Sequence, residues 1–260
     1  MTAPTPGSEL DPPHRRVALD DWAGVYVVGD VHGCPGAFDR LLAELGVTDD
    51  DLVIVVGDLV RKGPDSEGVV DRVRAADNVL SVRGNNEEKL VRGEESLPDL
   101  ADDDLDWLAS LPVAISWEAT GEVRAGLVVH GGVDPRITLA EHAVETLQTT
   151  RSLVPDGSYG DRPYWWERYE GPRRVFFGHT VLDRPVVREH AVGLDTGCVY
   201  GGELTAYDLR RDRFVSVDSD EPARARADAK VLSPPVDDPG AAGPENACGL
   251  SRAVTHDDGR

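Results

Sequence analysis

VYVVGDVHGCPGAFDRLLAEL, residues Val25 to Leu45, is the stretch that sets the fold. Its first half, VYVVG, reads as a short buried strand that ends abruptly at a charged residue, Asp30. From Pro35 the period changes, and Phe38, Leu41, Leu42 and Leu45 fall on one face of a helix. The pattern then repeats. Leu52 to Gly57 (LVIVVG) is a second buried strand ending at Asp58, and Ser66 to Ala75 is a helix with Val69, Val70 and Val73 as its stripe. Val79 to Val82 is a third strand that runs into Arg83, Gly84 and Asn85. Strand–helix–strand–helix–strand with near-continuous apolar strands predicts a parallel sheet covered on both faces. In such sheets ligands gather at the carboxyl ends of the strands.

Five segments place a metal-liganding side chain at such an end: GDVHG, GDLVRKGP, RGNNE, VVHGG and FFGHT. Together they supply Asp30, His32, Asp58, Asn85, His130 and His179. These are hard oxygen and borderline nitrogen donors without a thiolate, a mix suited to Mn, Fe, Zn or Mg. Asp30 and His32 are close enough in sequence to reach one ion, and Gly29 and Gly33 leave room for the turn. Asp58 has two carboxylate oxygens and can bridge two cations, whereas the neutral oxygen of Asn85 limits the anionic charge facing a phosphate. Taken singly, an Asp after a strand is more often a helix cap, and a His beside Gly more often a packed side chain. Taken jointly, the six make a two-metal centre. Two cations roughly 3.5 to 4 Å apart hold a bridging hydroxide and clamp phosphoryl oxygens for in-line attack.

Composition narrows the surroundings. The chain has 260 residues and a formal net charge of −21, with acidic runs at Asp49 to Asp51 and Asp102 to Asp104. Such a surface is self-repelling and soluble, and fits a salt-rich, halophilic-type cytoplasm where repulsion is screened. It opposes binding to duplex nucleic acid, because the counterion-release term has the wrong sign. Cys34, Cys198 and Cys248 are odd in number and carry no metal spacing, so no disulfide framework is expected. Residues 1–16 read as a disordered arm, 17–218 as one domain and 219–260 as a disordered acidic tail rich in Pro, Ala, Gly and Asp. The start lacks a basic and apolar leader, and no stretch reaches bilayer length, so a cytoplasmic protein that meets no membrane is expected. Glu87 to Arg92 continues as a helix after Asn85, and an acidic stretch from Glu94 to Asp106 leads to Trp107 and Leu108. Val113 to Trp117, Leu127 to Val129 and Val175 to Phe177 are further strands. Leu139 to Leu147 reads as one helix, and Tyr164 to Tyr169 as an aromatic groove lining. Val192 to Leu194, Glu203 to Asp208 and Phe214 to Val217 read as closing antiparallel strands.

The series GDVHG, GDLVRKGP, RGNNE, HGG and GHT resembles the calcineurin-like metallophosphoesterases. More narrowly it is similar to the phosphoprotein-phosphatase group that includes the symmetrical diadenosine tetraphosphatases. The likeness covers Val25 to Val217, and LDTGCVYGGELTA (Leu194 to Ala206) looks like the tetraphosphatase closing motif. The resemblance implies an α/β fold, a β-sandwich flanked by helices (αββα), with a dinuclear site at one edge. It implies Asp30, His32 and Asp58 on one metal and Asp58, Asn85, His130 and His179 on the other. The two divalent ions in this group are Mn, Fe or Zn, with Mn, Co or Mg supporting activity in assay.

The chain departs from the group at two places. The usual third motif has His after the liganding Asn; here Asn86 stands there. In protein phosphatases an Asp orients that His, and the matching place here is Arg61. A general acid is worth about 10²- to 10⁴-fold. An alkoxide leaving from phosphoserine needs it, whereas a nucleotide leaving from a phosphoanhydride departs as a stable anion. The double departure therefore favours a small phosphorylated substrate, a dinucleoside polyphosphate, over phosphoprotein. The alternatives are a Ser/Thr protein phosphatase and a catalytically impaired metal- or nucleotide-binding relative. By resemblance Lys62 and Arg151 are phosphate-binding; at the two departing positions, outside the resemblance, Asn86 is expected to donate a hydrogen bond to a phosphate oxygen and Arg61 to add a cation near the substrate. Tyr200 flanks the site on the same basis. The catalytic set expected is thus Asp58, Lys62 and Asn86.

Overall fold

The computed structural model describes residues 13–121, 123–219 and 224–234. In chain order its strands are β1 (His14–Arg16), β2 (Val25–Val28), β3 (Leu52–Val55), β4 (Val79–Ser81), β5 (Ala114–Trp117) and β6 (Gly126–Val129). They continue with β7 (Arg174–Phe177), β8 (Val186–Val187), β9 (Ala191–Gly193), β10 (Glu203–Asp208) and β11 (Arg213–Asp218). The helices are α1 (Pro35–Leu45), α2 (Ser66–Ala75), α3 (Asn85–Val91), α4 (Asp102–Ser110) and α5 (Val144–Thr149). One sheet has the order β11-β10-β2-β3-β4 and the other β1-β5-β6-β7-β9-β8.

Strand alternation explains the layering. Val25 and Val27 of β2, with Leu52 and Ile54 of β3, point one way and meet Ile115, Val128, Phe176 and Val192 of the second sheet. Their neighbours Tyr26, Val28, Val53 and Val55 point the other way and pack against Phe38, Leu41, Val69, Val70 and Leu108 from the helices. The outer face of the second sheet is covered by Leu147, Trp165 and Trp166 against Leu127, Val129, Val175 and Phe177. Each central strand is therefore apolar on both sides, which is why its sequence shows no polar alternation. The result is the αββα sandwich that the resemblance implies. Within it β2, β3 and β4 run parallel in register, as their helical connections require, while β10 joins β2 antiparallel.

Several expectations change. β9 pairs parallel with β7 and meets only the short β8 antiparallel, so it continues the sheet rather than closing it as a hairpin. The single helix over Leu139 to Leu147 is a 3₁₀ turn at Leu139–Glu141 followed by α5, with an extended break at His142 and Ala143. His142 turns its ring inward there: Nδ1 bonds Thr138 O at 2.9 Å and Nε2 accepts from the Asp134 N–H at 2.8 Å. The acidic stretch holds helix α4, whose first turn carries Asp102, Asp103 and Asp104 where the helix dipole favours them. Trp165 is core rather than groove lining, fully buried against Phe177 at 4.8 Å between ring centroids.

Both ends of the expected domain also shift. His14–Arg16 of the expected arm is strand β1, paired parallel with β5, because an edge strand needs backbone bonds and not apolar side chains. Residues 224–234 of the expected tail pack on the body, with Leu232 bridged to Leu182. Residues 1–12, 220–223 and 235–260, including Cys248, lie outside the described residues. Cys34 and Cys198 are buried and not joined in a disulfide. No helix of the described residues is long and apolar enough to cross a membrane.

Candidate metal centre

The parallel strands β2, β3 and β4 end side by side, so Asp30, Asp58 and Asn85 are delivered to one edge of the sandwich. The second sheet contributes from across the interface: His130 follows β6 and His179 follows β7, and these two strands are parallel neighbours. The turns that aim these groups are tight. His32, Asp58 and His179 all adopt positive φ (49°, 52° and 63°), a conformation that costs a non-glycine residue about 1 to 3 kcal/mol. Gly178 is required because a Cβ there would sit 1.9 Å from Asp30 Oδ1.

The six expected donors do converge. Asp30, His32 and Asp58 offer ligand atoms within 4.8 Å of one another. His32 Nε2 lies 3.4 Å from Asp58 Oδ2 and 3.8 Å from Asp30 Oδ2. On the other side of Asp58, its Oδ1 is 3.2 Å from His130 Nε2. Asn85 Oδ1 is 3.0 Å from His130 Nε2 and 2.9 Å from His179 Nδ1. Asp58 thus stands between two groups of donors. Four of the donors are buried (His130 is 0% exposed, Asp58 1%, Asp30 2% and His32 2%), while Asn85 and His179 are half-buried.

The hydrogen-bond chemistry of this donor set calls for cations. His130 Nδ1 faces the Val56 carbonyl at 2.9 Å and must carry its proton there. In the neutral ring Nε2 is then a lone pair, yet it faces two acceptors, Asp58 Oδ1 and Asn85 Oδ1. Lone pairs turned on one another are held only by a positive charge between them, a proton or a metal. His32 differs: Nδ1 is on Val60 O at 3.1 Å and Nε2 is turned to the two carboxylates, but there the Lys62 ammonium, 2.7 Å away, supplies the positive charge. The electrostatics agree. Burial opposes a charge on His130, but Asp58 and Asp30 overcome it and push its pKa up to about 10. Burial, with Asp195 next, holds Asp30 well above the usual carboxylate range. For Asp58 burial is outweighed by His130, which keeps the carboxyl low. The residues fit a divalent pair.

Around the donors lies a cleft of about 580 Å³ lined by Asp58, Arg61, Lys62, Asn85, Asn86, Lys89, Arg151, Tyr159, His179, Tyr200 and residues 224–227 and 230. Lys62 Nζ reaches His32 Nε2 at 2.7 Å. Arg151 Nε donates to Thr180 Oγ1 at 3.0 Å, beside His179. The two departures from the family pattern touch each other: Arg61 Nη1 donates to Asn86 Oδ1 at 2.7 Å. Arg61 is further tied to Glu95 at 2.9 Å. The Asn86 amide nitrogen donates to Asp58 Oδ2, and its backbone N–H to Asp58 Oδ1 at 3.0 Å. Its backbone N–H and one of its two amide N–H groups are therefore committed to a ligand.

Sequence reasoning left three groups of residues without a role. Glu87 is fully buried and its carboxylate accepts from the backbone N–H of Asp58 (3.0 Å), Val60 (3.1 Å) and Gly84 (2.7 Å). It staples the Asp58 loop to the start of α3. Burial, then the Asp58 charge, raise its pKa to about 7. Asp195 follows β9 at one more strand end, the same signal that found the ligands; burial raises its pKa while Lys62 lowers it. Arg226 and its neighbours sit in the segment assigned to the tail.

Comparison with known proteins agrees with this geometry. The calcineurin-like phosphoesterase family matches residues 24–210. The asymmetrical bis(5'-nucleosyl)-tetraphosphatase PrpE of Oceanobacillus iheyensis is 27% identical over 76% of this chain and 93% of its own length. The symmetrical bis(5'-nucleosyl)-tetraphosphatase of an Acidovorax species (strain JS42) is 28% identical over 70% and 90%. Serine/threonine-protein phosphatase 1 of Salmonella typhimurium is 28% identical over 74% and 94%. A solved structure, assigned as a candidate diadenosine tetraphosphatase, superposes with a TM-score of 0.71 at 28% identity, covering 80% of this chain and 98% of that one. With the sandwich, the strand-end donors and this match in agreement, the chain belongs to the calcineurin-like phosphoesterases and is a metal-dependent hydrolase of that family.

Proposed function

We propose that this hydrolase cleaves phosphoanhydride bonds in dinucleoside polyphosphates. The observation that carries the reading is the Arg61–Asn86 pair. At the place where a proton donor to the leaving oxygen is expected, a carboxamide is locked between a guanidinium and Asp58. Among the described residues the lining of the cleft includes no imidazole or carboxyl group besides His179 and Asp58. A nucleotide released from an anhydride leaves as a stabilised anion and loses little by this, whereas a serine alkoxide loses much.

In this reading Asp30, His32 and Asp58 hold one divalent ion, and Asp58, Asn85, His130 and His179 the second, a mixed oxygen and imidazole donor set that suits Mn, Fe, Zn or Mg. Such a pair, when bound, polarises a phosphoryl oxygen and lowers the pKa of water. The chain's own residues do the rest. Lys62 supplies a point charge at the ligand cluster, Arg151 a guanidinium beside His179, and Asn86 keeps Asp58 oriented. Glu87 fixes the loop that carries Asp58.

The test is a panel of substrates at high salt with Mn: diadenosine tetraphosphate, p-nitrophenyl phosphate and a phosphoserine peptide. Turnover of the dinucleotide well above the peptide is expected, and product analysis then separates cleavage into two diphosphates from cleavage into a mono- and a triphosphate. Peptide turnover equal to or above that of the dinucleotide overturns the reading in favour of a protein phosphatase. Bound metal with no turnover of any of the three overturns it in favour of an impaired relative.

A further inference from the structure

Residues 224–234 lie beyond the family match, which ends at residue 210, and form a strap of which Arg224, Ala225, Arg226, Ala227 and Lys230 line the cleft. One end is tied where the Arg224 N–H donates to Val199 O at 2.8 Å. The other is tied at Leu232, whose N–H donates to Val181 O and whose carbonyl accepts from Asp183, both at 2.9 Å. Between the ties Arg226 enters the cleft wall. Its Nε donates to Lys230 O at 2.8 Å and its Nη2 to the Tyr159 hydroxyl at 3.1 Å.

Arg226 completes an alternating series of cations and rings. Its guanidinium carbon lies 4.6 Å from the Tyr200 ring centre and 5.4 Å from that of Tyr159. Tyr159 also carries Arg151 at 4.0 Å, and Tyr200 carries Lys62 at 5.6 Å. The series therefore runs Lys62–Tyr200–Arg226–Tyr159–Arg151, an arc with its two ends beside the metal ligands His32 and His179 and its middle, Arg226, on the strap. Among the described residues no carboxylate is paired with Arg151 or Arg226, in a chain whose net charge is −21. Both guanidinium groups feel the charge of the buried Asp195, but no carboxylate among the described residues is in ion-pair contact with either; positioned by aromatic faces along one wall of a cleft, they suit successive phosphate groups.

We propose that the strap is a polyphosphate subsite: Arg226, backed by Arg224 and Lys230, takes the phosphate groups beyond the one at the metal ligands. It thereby sets a preference for phosphate chains over single phosphates. The natural ligand rests on the phosphoanhydride reading above; the preference itself is a binding property that needs no turnover.

The experiment uses the full chain loaded with Mn and measures calorimetric binding of orthophosphate and of a methylene-bridged triphosphate that resists hydrolysis. Arg226→Gln is expected to weaken the triphosphate relative to orthophosphate by about tenfold, the worth of one charge-assisted pair. Arg226→Lys, which keeps the charge and loses the fork, should fall between. Lys230→Gln leaves the strap's hydrogen bonds in place and is expected to shift the ratio the same way, so the result does not hang on one variant's folding. Equal weakening of both anions, or an unchanged ratio in both glutamine variants, overturns the proposal. Tighter binding of both anions would also overturn it, since the strap would then be a plug. A chain that binds the triphosphate selectively through Arg226 yet fails to cleave the dinucleotide would sink the proposed substrate and leave the subsite standing.

Discussion

The carboxamide of Asn86 donates to Asp58 and accepts from Arg61, so both of its polar ends are engaged before any substrate arrives. Replacing it with His alone would place an imidazole against a guanidinium that disfavours its protonation. Pairing Asn86→His with Arg61→Asp supplies both the proton donor and a carboxylate to orient it. That double variant is expected to raise kcat on an alkyl phosphate such as phosphoserine by about tenfold or more, and much less on p-nitrophenyl phosphate, whose leaving group needs no acid. Steady-state kinetics on the two esters check it. An equal response of both would remove the leaving-group argument for a phosphoanhydride substrate.

Elements act on the site through what they brace. The 3₁₀ turn at Trp165–Glu167 looks remote from chemistry, but its Trp165 indole N–H donates to Gly131 O at 3.1 Å, in the loop that carries His130. Gly132 passes so close that a Cβ there would meet the indole at 2.0 Å. The aromatic segment is thus the floor beneath a ligand loop, packed on Phe177 just before His179. Trp165→Ala is expected to cost about 3 to 5 kcal/mol of stability, read from urea unfolding, because a large fully buried ring is deleted. Metal affinity should fall as well, since the His130 loop loses its support. Weakened stability with metal binding intact would show that the turn serves the core alone.

At the scale of the whole molecule a charge of −21 and an anionic substrate class are reconciled by segregation. The cleft gathers Arg61, Lys62, Lys89, Arg151, Arg224, Arg226 and Lys230, against Asp58 as its lining carboxylate. Acidic residues lie on the remaining surface, as with the exposed Asp102 and Asp103 at the start of α4. Repulsion among them opposes the compact state and is screened by salt. The melting temperature is therefore expected to rise as KCl goes from about 0.1 M to about 1 M, where the screening length shrinks to about 3 Å. A flat or falling curve from differential scanning calorimetry would show that the acidity is not an adaptation to salt.

The local parts of this structure were legible because their causes are local. Helices α1 and α2 appear over the residues that the apolar period marks, and Asp30, Asp58, Asn85, His130 and His179 were found as polar residues halting buried runs. Asp195 carries the same mark and could have been found with them. What the tertiary structure alone decided is adjacency. Periodicity does not say that β6 and β7 lie side by side, so that His130 and His179 share the oxygen of Asn85. Nor does it say that β1, a polar stretch, finds backbone partners on β5. The strap is the extreme case. Its composition is that of a free tail, and only its ties to Val199 and Val181 make it a wall of the site. A side chain's period and propensity are written in its neighbours along the chain, whereas its partners across space depend on how every other element packs.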